Sequence, residues 1–172
     1  MRLTLLAAHG PAESCSEQPR LTPYLYTHAW HTRFAFEPLP GNPYDDGIPN
    51  DSNGLYQFAD GSAYQGNVQD GRITGKGKYE NTMGETWEGS FLNGVLHGQG
   101  THKDVLGNVW TGTWRHGQLF GDGEFTAVDK ARYKGTYRDD EMEGWGFERY
   151  KNGNQSYGFY CRNDRNGHGT QI

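Results

Sequence analysis

The side chains in this chain that most often perform chemistry are its histidines and carboxylates. His28 and His31 form an H-x-x-H pair, and His97, His102 and His116 follow in later segments. A zinc site needs three or four ligands that converge with a defined geometry. His97 and His102 occupy different positions of a repeat described below, and the corresponding residues of other units are not metal ligands. We therefore predict that the chain binds no metal ion and carries no cofactor.

The run RDDEMEG, from Arg138 to Gly144, concentrates carboxylates in one short segment. Its spacing differs from that of a calcium loop, so a solvated loop is the favoured interpretation, with an electrostatic contact to a partner as the alternative. The Gly-Lys-Gly and Gly-Gln-Gly triplets resemble pieces of nucleotide-binding loops, but no helix follows them to hold a phosphate. The sequence contains no nucleophile elbow or P-loop. We predict that the chain is not an enzyme and has no catalytic residues.

Aromatic residues and glycines recur along the chain with a fixed spacing of 23 residues. The units begin at Tyr64, Trp87, Trp110, Tyr133 and Ser156, and a glycine stands two residues after each of them. Four residues after each start lie Val68, Phe91, Trp114, Tyr137 and Tyr160. A Gly-x-Gly pair follows in every unit, and the last of these pairs is Gly167 and Gly169.

Each unit is predicted to form a β-hairpin. The order aromatic-x-Gly-x-aromatic alternates with period two, which places these residues on one face of a strand. The dipeptides Asp70-Gly71 and Asn93-Gly94 are typical of a hairpin turn, and Gly84 marks a second turn that leads to the next unit. In the fourth and fifth units Asp140 and Asn163 replace the turn glycine, so we expect looser turns there.

The density of glycine beside aromatic residues predicts how the sheet is held together. A glycine within a strand indicates that something approaches the backbone closely, and here a neighbouring ring can lie on the space that the missing side chain leaves. Strands about 4.8 Å apart that stack hairpin on hairpin would form a thin ribbon. The predicted fold is all-β: an elongated, single-layer, twisted array of consecutive antiparallel β-hairpins. Stacking should weaken at the last unit, because Ser156 replaces its leading aromatic residue.

The segments WEGSFLNGVLHGQG, residues 87–100, and YQGNVQDGRITGKG, residues 64–77, resemble the MORN repeat (membrane occupation and recognition nexus), and the resemblance extends over residues 64–169. It implies a non-catalytic scaffold or adaptor that binds other proteins in a cytoskeletal assembly, with the ciliary or flagellar axoneme as the favoured location. The alternative that it implies is a membrane-apposition module that contacts phospholipid headgroups. A third reading, an appendage of an enzyme, requires a catalytic domain that this sequence lacks.

The chain divides into two predicted regions. Residues 1–52 are rich in proline and aromatic residues, and we interpret them as an extended arm that packs on the first hairpins or on another protein. Residues 53–172 form the repeat array, in which residues 53–63 are the second half of a degenerate unit.

Charge and cysteine content restrict the partners and the compartment. The formal net charge is −5, whereas nucleic acid and anionic lipid both select clustered Lys and Arg. We therefore expect no nucleic-acid partner and consider membrane lipid unfavoured. Cys15 and Cys161 form no C-x-x-C pair, and we predict two reduced thiols in a cytoplasmic, cytoskeletal protein.

Two sets of residues are predicted to contact proteins. The first is the aromatic ladder, which also has a structural role and consists of Tyr64, Trp87, Phe91, Trp110, Trp114, Tyr133 and Tyr137. Contiguous apolar surface and Trp or Tyr side chains are typical of interaction sites. The second set is an edge contact at the C-terminal end, formed by Gly167, Gly169 and Thr170, through which a partner or a second copy could add a strand.

Overall fold

The structure, a computed structural model, describes residues 51–171, and all regular elements in this range are β-strands. The strands are β1 (Asp51–Gln57), β2 (Ala63–Gln69), β3 (Arg72–Glu80), β4 (Thr86–Leu92), β5 (Val95–Lys103), β6 (Val109–Arg115), β7 (Gln118–Thr126), β8 (Arg132–Arg138), β9 (Glu141–Arg149), β10 (Gln155–Cys161) and β11 (Asp164–Gln171). The predicted all-β class is confirmed. The predicted arm lies outside the described residues, except for its last two positions, which belong to β1.

The strands form one eleven-stranded sheet in which their spatial order is their order in the sequence. Every neighbouring pair is antiparallel, so the sheet is a series of consecutive hairpins. Two strands come from each 23-residue unit, which confirms the predicted hairpin array. The described residues contain no helix that is long and apolar enough to cross a membrane.

The register aligns one glycine from each of β1 to β10 into a continuous row across the sheet. We call this set the glycine row: Gly54, Gly66, Gly77, Gly89, Gly100, Gly112, Gly123, Gly135, Gly146 and Gly158. Each member lies opposite the next on the neighbouring strand. The row therefore fixes the register of every hairpin and of every junction between hairpins.

Each unit pairs a first strand of 7 residues with a longer second strand, of 9 residues in β5. In the β4–β5 hairpin, Gly89 lies opposite Gly100 but Phe91 lies opposite Leu96, so β5 carries extra residues at a bulge. Gly98 sits in this bulge with a φ of 95°, a left-handed conformation that favours glycine because it has no Cβ. The backbone conformation of the bulge thus requires the first glycine of the Gly-x-Gly pair.

The tight turn between the two strands of a unit is hydrogen-bonded to the preceding unit. Asn93 and Gly94 have φ values of 51° and 85°, and two positive φ values are characteristic of the type I′ turn. The Gly94 N–H donates to the carbonyl oxygen of Ile73 at 2.9 Å, and the Gly117 N–H donates in the same way to that of Leu96 at 2.9 Å. Each turn is therefore fixed to the second strand of the unit before it.

The looser turns predicted at Asp140 and Asn163 are not found. Both residues adopt the turn conformation, with φ values of 68°, and their N–H groups donate to the carbonyl oxygens of Leu119 at 3.1 Å and Met142 at 3.2 Å. In addition, Asp140 Oδ1 accepts from the Leu119 N–H at 2.7 Å, and Asn163 Oδ1 accepts from the Met142 N–H at 2.8 Å. The prediction is wrong because each side chain adds a cross-unit hydrogen bond that glycine cannot make.

Cys161, at the end of β10, is disulfide-bonded. The prediction of a reduced thiol at this position is therefore wrong for this structure. The sequence could not show this, because two cysteines far apart in a chain give no indication of whether their sulfur atoms meet.

Asp140 makes the stability of its turn dependent on pH. Burial raises the pKa of this carboxyl to about 6, above its value of about 3.9 in an unfolded chain. The folded state therefore holds the proton more tightly, and the stability contributed by Asp140 is lost as the pH rises through about 6. Asp140→Asn, which copies Asn163, should raise the melting temperature more at pH 7.5 than at pH 4, as thermal melts across this range will show.

The control is Asp139→Asn, which removes one negative charge from the exposed neighbouring residue. Its effect on melting should vary less with pH than that of Asp140→Asn. A constant difference between Asp140→Asn and the parent from pH 4 to pH 7.5 would contradict the assignment.

Candidate functional site

One face of the sheet, here called the core face, buries four positions in each of the first four units and two in the fifth. With the leading residue of a unit as position 1, these are positions 1, 5, 10 and 16. Position 1 holds Tyr64, Trp87, Trp110, Tyr133 and Ser156, and position 5 holds Val68, Phe91, Trp114, Tyr137 and Tyr160. Position 10 holds Ile73, Leu96, Leu119 and Met142, and position 16 holds Tyr79, His102, Phe125 and Glu148. The second-strand positions therefore contribute as much to this face as the predicted ladder does.

Positions 1 and 16 meet across the strands and form a stack of rings, Tyr79, Trp87, His102, Trp110 and Phe125. The centroids of His102 and Trp87 are 4.6 Å apart with nearly parallel planes, and those of His102 and Trp110 are 5.3 Å apart. The stack continues from Trp110 to Phe125 at 4.9 Å. Ring pairs at these distances add stabilisation beyond the area they bury. His102, considered above as a possible metal ligand, is a member of the stack.

After Tyr133 the residues at positions 16 and 1 are polar, Glu148 and Ser156, in agreement with the weaker stacking predicted at the last unit. Position 16 of the fourth unit is Glu148, which accepts a hydrogen bond from the Tyr150 hydroxyl at 2.6 Å. Tyr133, the last ring at position 1, instead contacts Tyr160 at 5.0 Å and Tyr137 at 5.4 Å, both edge-on. The burial of Glu148 and Ser156 shows that the core face remains covered after the aromatic stacking stops.

Rings lie directly over the glycine row. A Cβ placed on Gly77 would overlap the Tyr64 ring, and one placed on Gly146 would overlap the Tyr133 ring. Trp114 also contacts the row, because its Nε1 donates to the carbonyl oxygen of Gly100 at 2.9 Å. The predicted ring-on-glycine packing is therefore present at the glycines of the second strands.

At Gly89 the group that excludes a side chain is different. A Cβ there would overlap the carbonyl oxygen of Gln99 and the Cα atom of Gly100, and no ring is among its nearest atoms. We expected a ring to exclude side chains at this position, and that expectation is wrong. The backbone of the neighbouring strand occupies the space, because the bulge brings β5 against the face of β4.

The predicted ladder residues are all on the core face and all buried, with Trp87 the most exposed at 8%. Buried to this extent, the rings pack chiefly within the array, so their structural role accounts for what is observed. A protein-binding role for Tyr64, Trp87, Phe91, Trp110, Trp114, Tyr133 and Tyr137 stays a prediction.

The histidines do not converge on a common site. The rings of His97 and His116 are 5.2 Å apart, and His97 Nδ1 accepts from the His116 N–H at 3.5 Å. Among residues 51–171, no group of three or more His, Cys, Asp or Glu residues is arranged to hold a metal ion. His28 and His31 lie outside the described residues.

The opposite face of the sheet carries an exposed aromatic cluster that the sequence reasoning missed. It consists of Trp145 and Phe147 on β9 with Tyr157 and Phe159 on β10, and we call it the aromatic quartet. Phe147 lies opposite Tyr157, and Trp145 lies opposite Phe159. The ring of Trp145 stacks on that of Tyr157 at 5.1 Å, and it meets that of Phe159 edge-on at 5.6 Å.

The quartet is accessible, since Trp145 is 51% exposed, Tyr157 47% and Phe147 37%. A search for aromatic residues at the repeat's polar positions would have found it. Positions 2, 4, 13 and 15 are polar or charged in the other complete units, and they become aromatic only along β9 and β10. Agreement between the units gives no signal at these positions, because only the β9–β10 junction differs from the rest.

The predicted edge residues Gly167, Gly169 and Thr170 lie in β11. Within the described part of the chain, β11 is the terminal strand of the sheet and pairs with β10 alone. Its register with β10 shifts between Tyr157 and Phe159, as in the other hairpins. The edge contact itself stays a prediction.

Comparison with protein families supports the repeat assignment. Residues 64–86, 87–105, 110–132 and 133–155 each match the family model of the MORN repeat. These segments cover half of the chain and agree with the units that begin at positions 64, 87, 110 and 133. A search of curated proteins finds no match.

Gly89 provides a test of the glycine row. Gly89→Val should destabilise the fold more than Ser90→Val, although valine is equally favourable to strand formation in both variants. A valine at 89 must displace the backbone of β5, and Gly89 also has a φ of 150°, whereas Ser90 lies on the opposite face. Overpacking of this kind typically costs about 1–3 kcal/mol, measurable by urea denaturation; equal midpoints for the two variants would contradict it.

His102 provides a test of the ring stack. Burial lowers the pKa of this imidazole to about 4 from its ordinary 6.5. The unfolded chain therefore binds the proton more tightly, and the fold loses stability as the pH falls from about 6.5 to about 4. His102→Phe, which copies Phe125, should lose less melting temperature than the parent between pH 7.5 and pH 4.5.

His97→Phe is the matched control, because His97 lies in the same strand but not in the stack. This variant should keep the acid sensitivity of the parent. If His102→Phe and the parent lose the same melting temperature on acidification, the ring of His102 does not titrate as assigned.

Proposed function

Because the chain belongs to the MORN repeat family, we propose that it is a non-catalytic scaffold that binds other proteins in a cytoskeletal assembly. MORN repeats are non-enzymatic modules of protein interaction or membrane association. For this chain we propose protein interaction, and a cytoskeletal assembly as the place where it occurs. The ciliary or flagellar axoneme is its favoured location.

The observation that carries the proposal is the open, sequential sheet. Neighbouring units are linked by stacked rings, such as those of His102 and Trp110, and by turn hydrogen bonds, such as that from Gly94 to Ile73. An array of this type displays side chains at fixed intervals along an extended surface, which suits a protein that holds partners in register. The net charge of −5 supports a protein partner over nucleic acid or anionic lipid.

The cytoplasmic part of the proposal has one opposing observation. Cys161 is disulfide-bonded, and disulfides are rare in cytosolic proteins. Rapid alkylation of living cells before lysis, followed by mass spectrometry, measures the redox state of Cys161 in cells, and a free, alkylated thiol in most molecules would support the cytoplasmic location. An oxidised Cys161 in the great majority of molecules would overturn the cytoplasmic location.

Two measurements separate protein binding from the membrane alternative. Affinity purification after chemical cross-linking, from cells that express the protein, should give cross-links between residues of the array and cytoskeletal proteins. Co-sedimentation with vesicles that contain phosphatidylserine or phosphoinositides should leave the protein in the supernatant. Stable sedimentation with these vesicles, without protein cross-links, would replace the scaffold with a membrane-apposition module.

The edge of β11 supplies a second, separable contact for the scaffold. An unpaired strand edge can accept a strand from a partner or from a second copy. Gln171→Pro removes one N–H donor on the side of β11 that faces away from β10 and should weaken such pairing. Size-exclusion chromatography with light scattering should show dimers or larger species for the parent and a shift towards monomer for the variant. A monomeric parent whose proline variant still enters the native complex would exclude the edge contact.

A further inference from the structure

We propose that the aromatic quartet, together with Arg132 and Arg149, is a docking surface for an acidic peptide segment that carries an apolar anchor side chain. The inference rests on the proposed protein-binding function. It assigns the binding face, which is the face opposite the aromatic ladder, and the chemistry of the partner.

The sheet itself does not require aromatic residues at these four positions. The corresponding positions at the β5–β6 junction hold Gln99 and Thr101, opposite Thr113 and Thr111. These polar side chains form hydrogen bonds with one another across the strands, since Gln99 Nε2 donates to Thr113 Oγ1 at 2.8 Å and the hydroxyls of Thr101 and Thr111 are 3.1 Å apart. The same backbone register therefore accepts a polar quartet, and the aromatic one must be explained by something other than strand pairing.

The exposed rings are suited to hold an apolar anchor. Trp145 and Tyr157 stack on each other while about half of each side chain stays accessible. Pre-stacked aromatic side chains have few rotamers left to lose on binding, and Trp and Tyr are enriched among the residues that dominate binding energy. An aliphatic or aromatic side chain placed on this cluster would bury the apolar surface that is now exposed.

The charges beside the quartet specify an acidic partner. Arg132 and Arg149 lie directly opposite each other on β8 and β9, and like charges in this arrangement destabilise a sheet. Their other cross-strand neighbours are Thr126 and Gln155, which are uncharged. Both arginines are exposed. A carboxylate between the two guanidinium groups would remove the repulsion and form charge-assisted hydrogen bonds.

The aromatic quartet and the arginine pair are adjacent on the sheet. Phe147 is two residues from Arg149 on β9, and its neighbour across the strands is Lys134 on β8. Strands are about 4.8 Å apart and alternate residues on one face are separated by roughly 7 Å. One extended peptide of a few residues can therefore place an apolar side chain on the quartet and an acidic one on the arginine pair.

A peptide fits this surface better than a bilayer does. The next strand on the same face carries Asp122 and Glu124, which lie opposite Thr136 and Lys134. An anionic membrane would cover these carboxylates as well, within a screening length of about 8 Å, whereas a single peptide chain need not contact them. The net charge of −5 adds to the repulsion from an extended anionic surface.

The test begins with selection of peptides from a random phage-displayed library on the full-length chain. The selected sequences should be enriched in Asp and Glu near a Trp, Phe or Leu. The most frequent peptide is then synthesised with a fluorophore, and its affinity is measured by fluorescence anisotropy at two salt concentrations. Selection of neutral or basic peptides, or no enrichment, would overturn the proposal.

Two variants connect binding to the assigned residues. The first replaces the quartet with its polar counterpart, Trp145→Gln, Phe147→Thr, Tyr157→Thr and Phe159→Thr, and should weaken binding at least about thirtyfold, as loss of hot-spot residues does. The second, Arg132→Thr with Arg149→Glu, copies the cross-strand pair Thr86 and Glu80 and leaves the aromatic residues intact. It should weaken binding about tenfold and reduce the dependence of affinity on salt.

The matched control is Lys103→Glu, because Lys103 occupies the position of Arg149 two units earlier in the array. This variant should bind the peptide within about twofold of the parent, since it lies outside the docking surface. Thermal melts establish that each variant is folded. If both test variants melt cooperatively and bind as the parent does, the quartet is a structural feature only and the proposal is wrong.

Vesicles containing phosphatidylserine and a single-stranded oligonucleotide serve as competing probes. Quartet-dependent binding of either, in the absence of peptide binding, would overturn the assignment of an acidic peptide. Cytoskeletal cross-links that map to other parts of the array would leave the scaffold function standing without this site. The two proposals can therefore fail independently.

Discussion

The architecture depends on one steric constraint, the alignment of glycines from β1 to β10. Where Gly89 faces Gly100, the backbones are so close that a Cβ on Gly89 would overlap the neighbouring strand. At other members of the row a ring occupies the space, such as that of Tyr64 over Gly77. Because a side chain at these positions would displace either backbone or a ring, the row favours a single register for the strands that carry them.

Contacts between units provide most of the remaining order. The ring of His102 lies between Trp87 of its own unit and Trp110 of the next. The turn of each unit is hydrogen-bonded to the second strand of the unit before it, as Gly117 is to Leu96. A single hairpin would have neither the contact to Trp110 nor the turn hydrogen bond, which is why the array is stable through its neighbours. Asp140 and Asn163 show that the turn tolerates a side chain when that side chain adds a hydrogen bond across the same boundary.

The two faces of the sheet divide the aromatic residues by role. On the core face, rings such as Trp114 and Tyr137 are almost fully buried and hold the array together. On the opposite face, the polar surface of the central units gives way to Trp145, Phe147, Tyr157 and Phe159 along β9 and β10. An exposed aromatic cluster on an otherwise polar face is a feature of recognition surfaces, and it favours this end of the array as the place where a partner binds.

The sequence by itself determined the repeat and nearly all of the fold. Its 23-residue spacing predicted the hairpins and the turns at Asn93-Gly94 and Asp70-Gly71, and Ser156 predicted weaker stacking at the last unit, because period-two alternation and turn chemistry are local properties of the chain. Only the tertiary structure decided what occupies the space above each glycine, because that depends on the bulge that moves β5 against β4 at Gly89. The added hydrogen bonds of Asp140 and Asn163 join residues from different units, and the disulfide state of Cys161 depends on which sulfur atoms meet. The sequence contained the four aromatic residues of the quartet, but only strand register and exposure showed that Trp145, Phe147, Tyr157 and Phe159 form one cluster. The same register places two residues of like charge, Arg132 and Arg149, opposite each other beside this cluster.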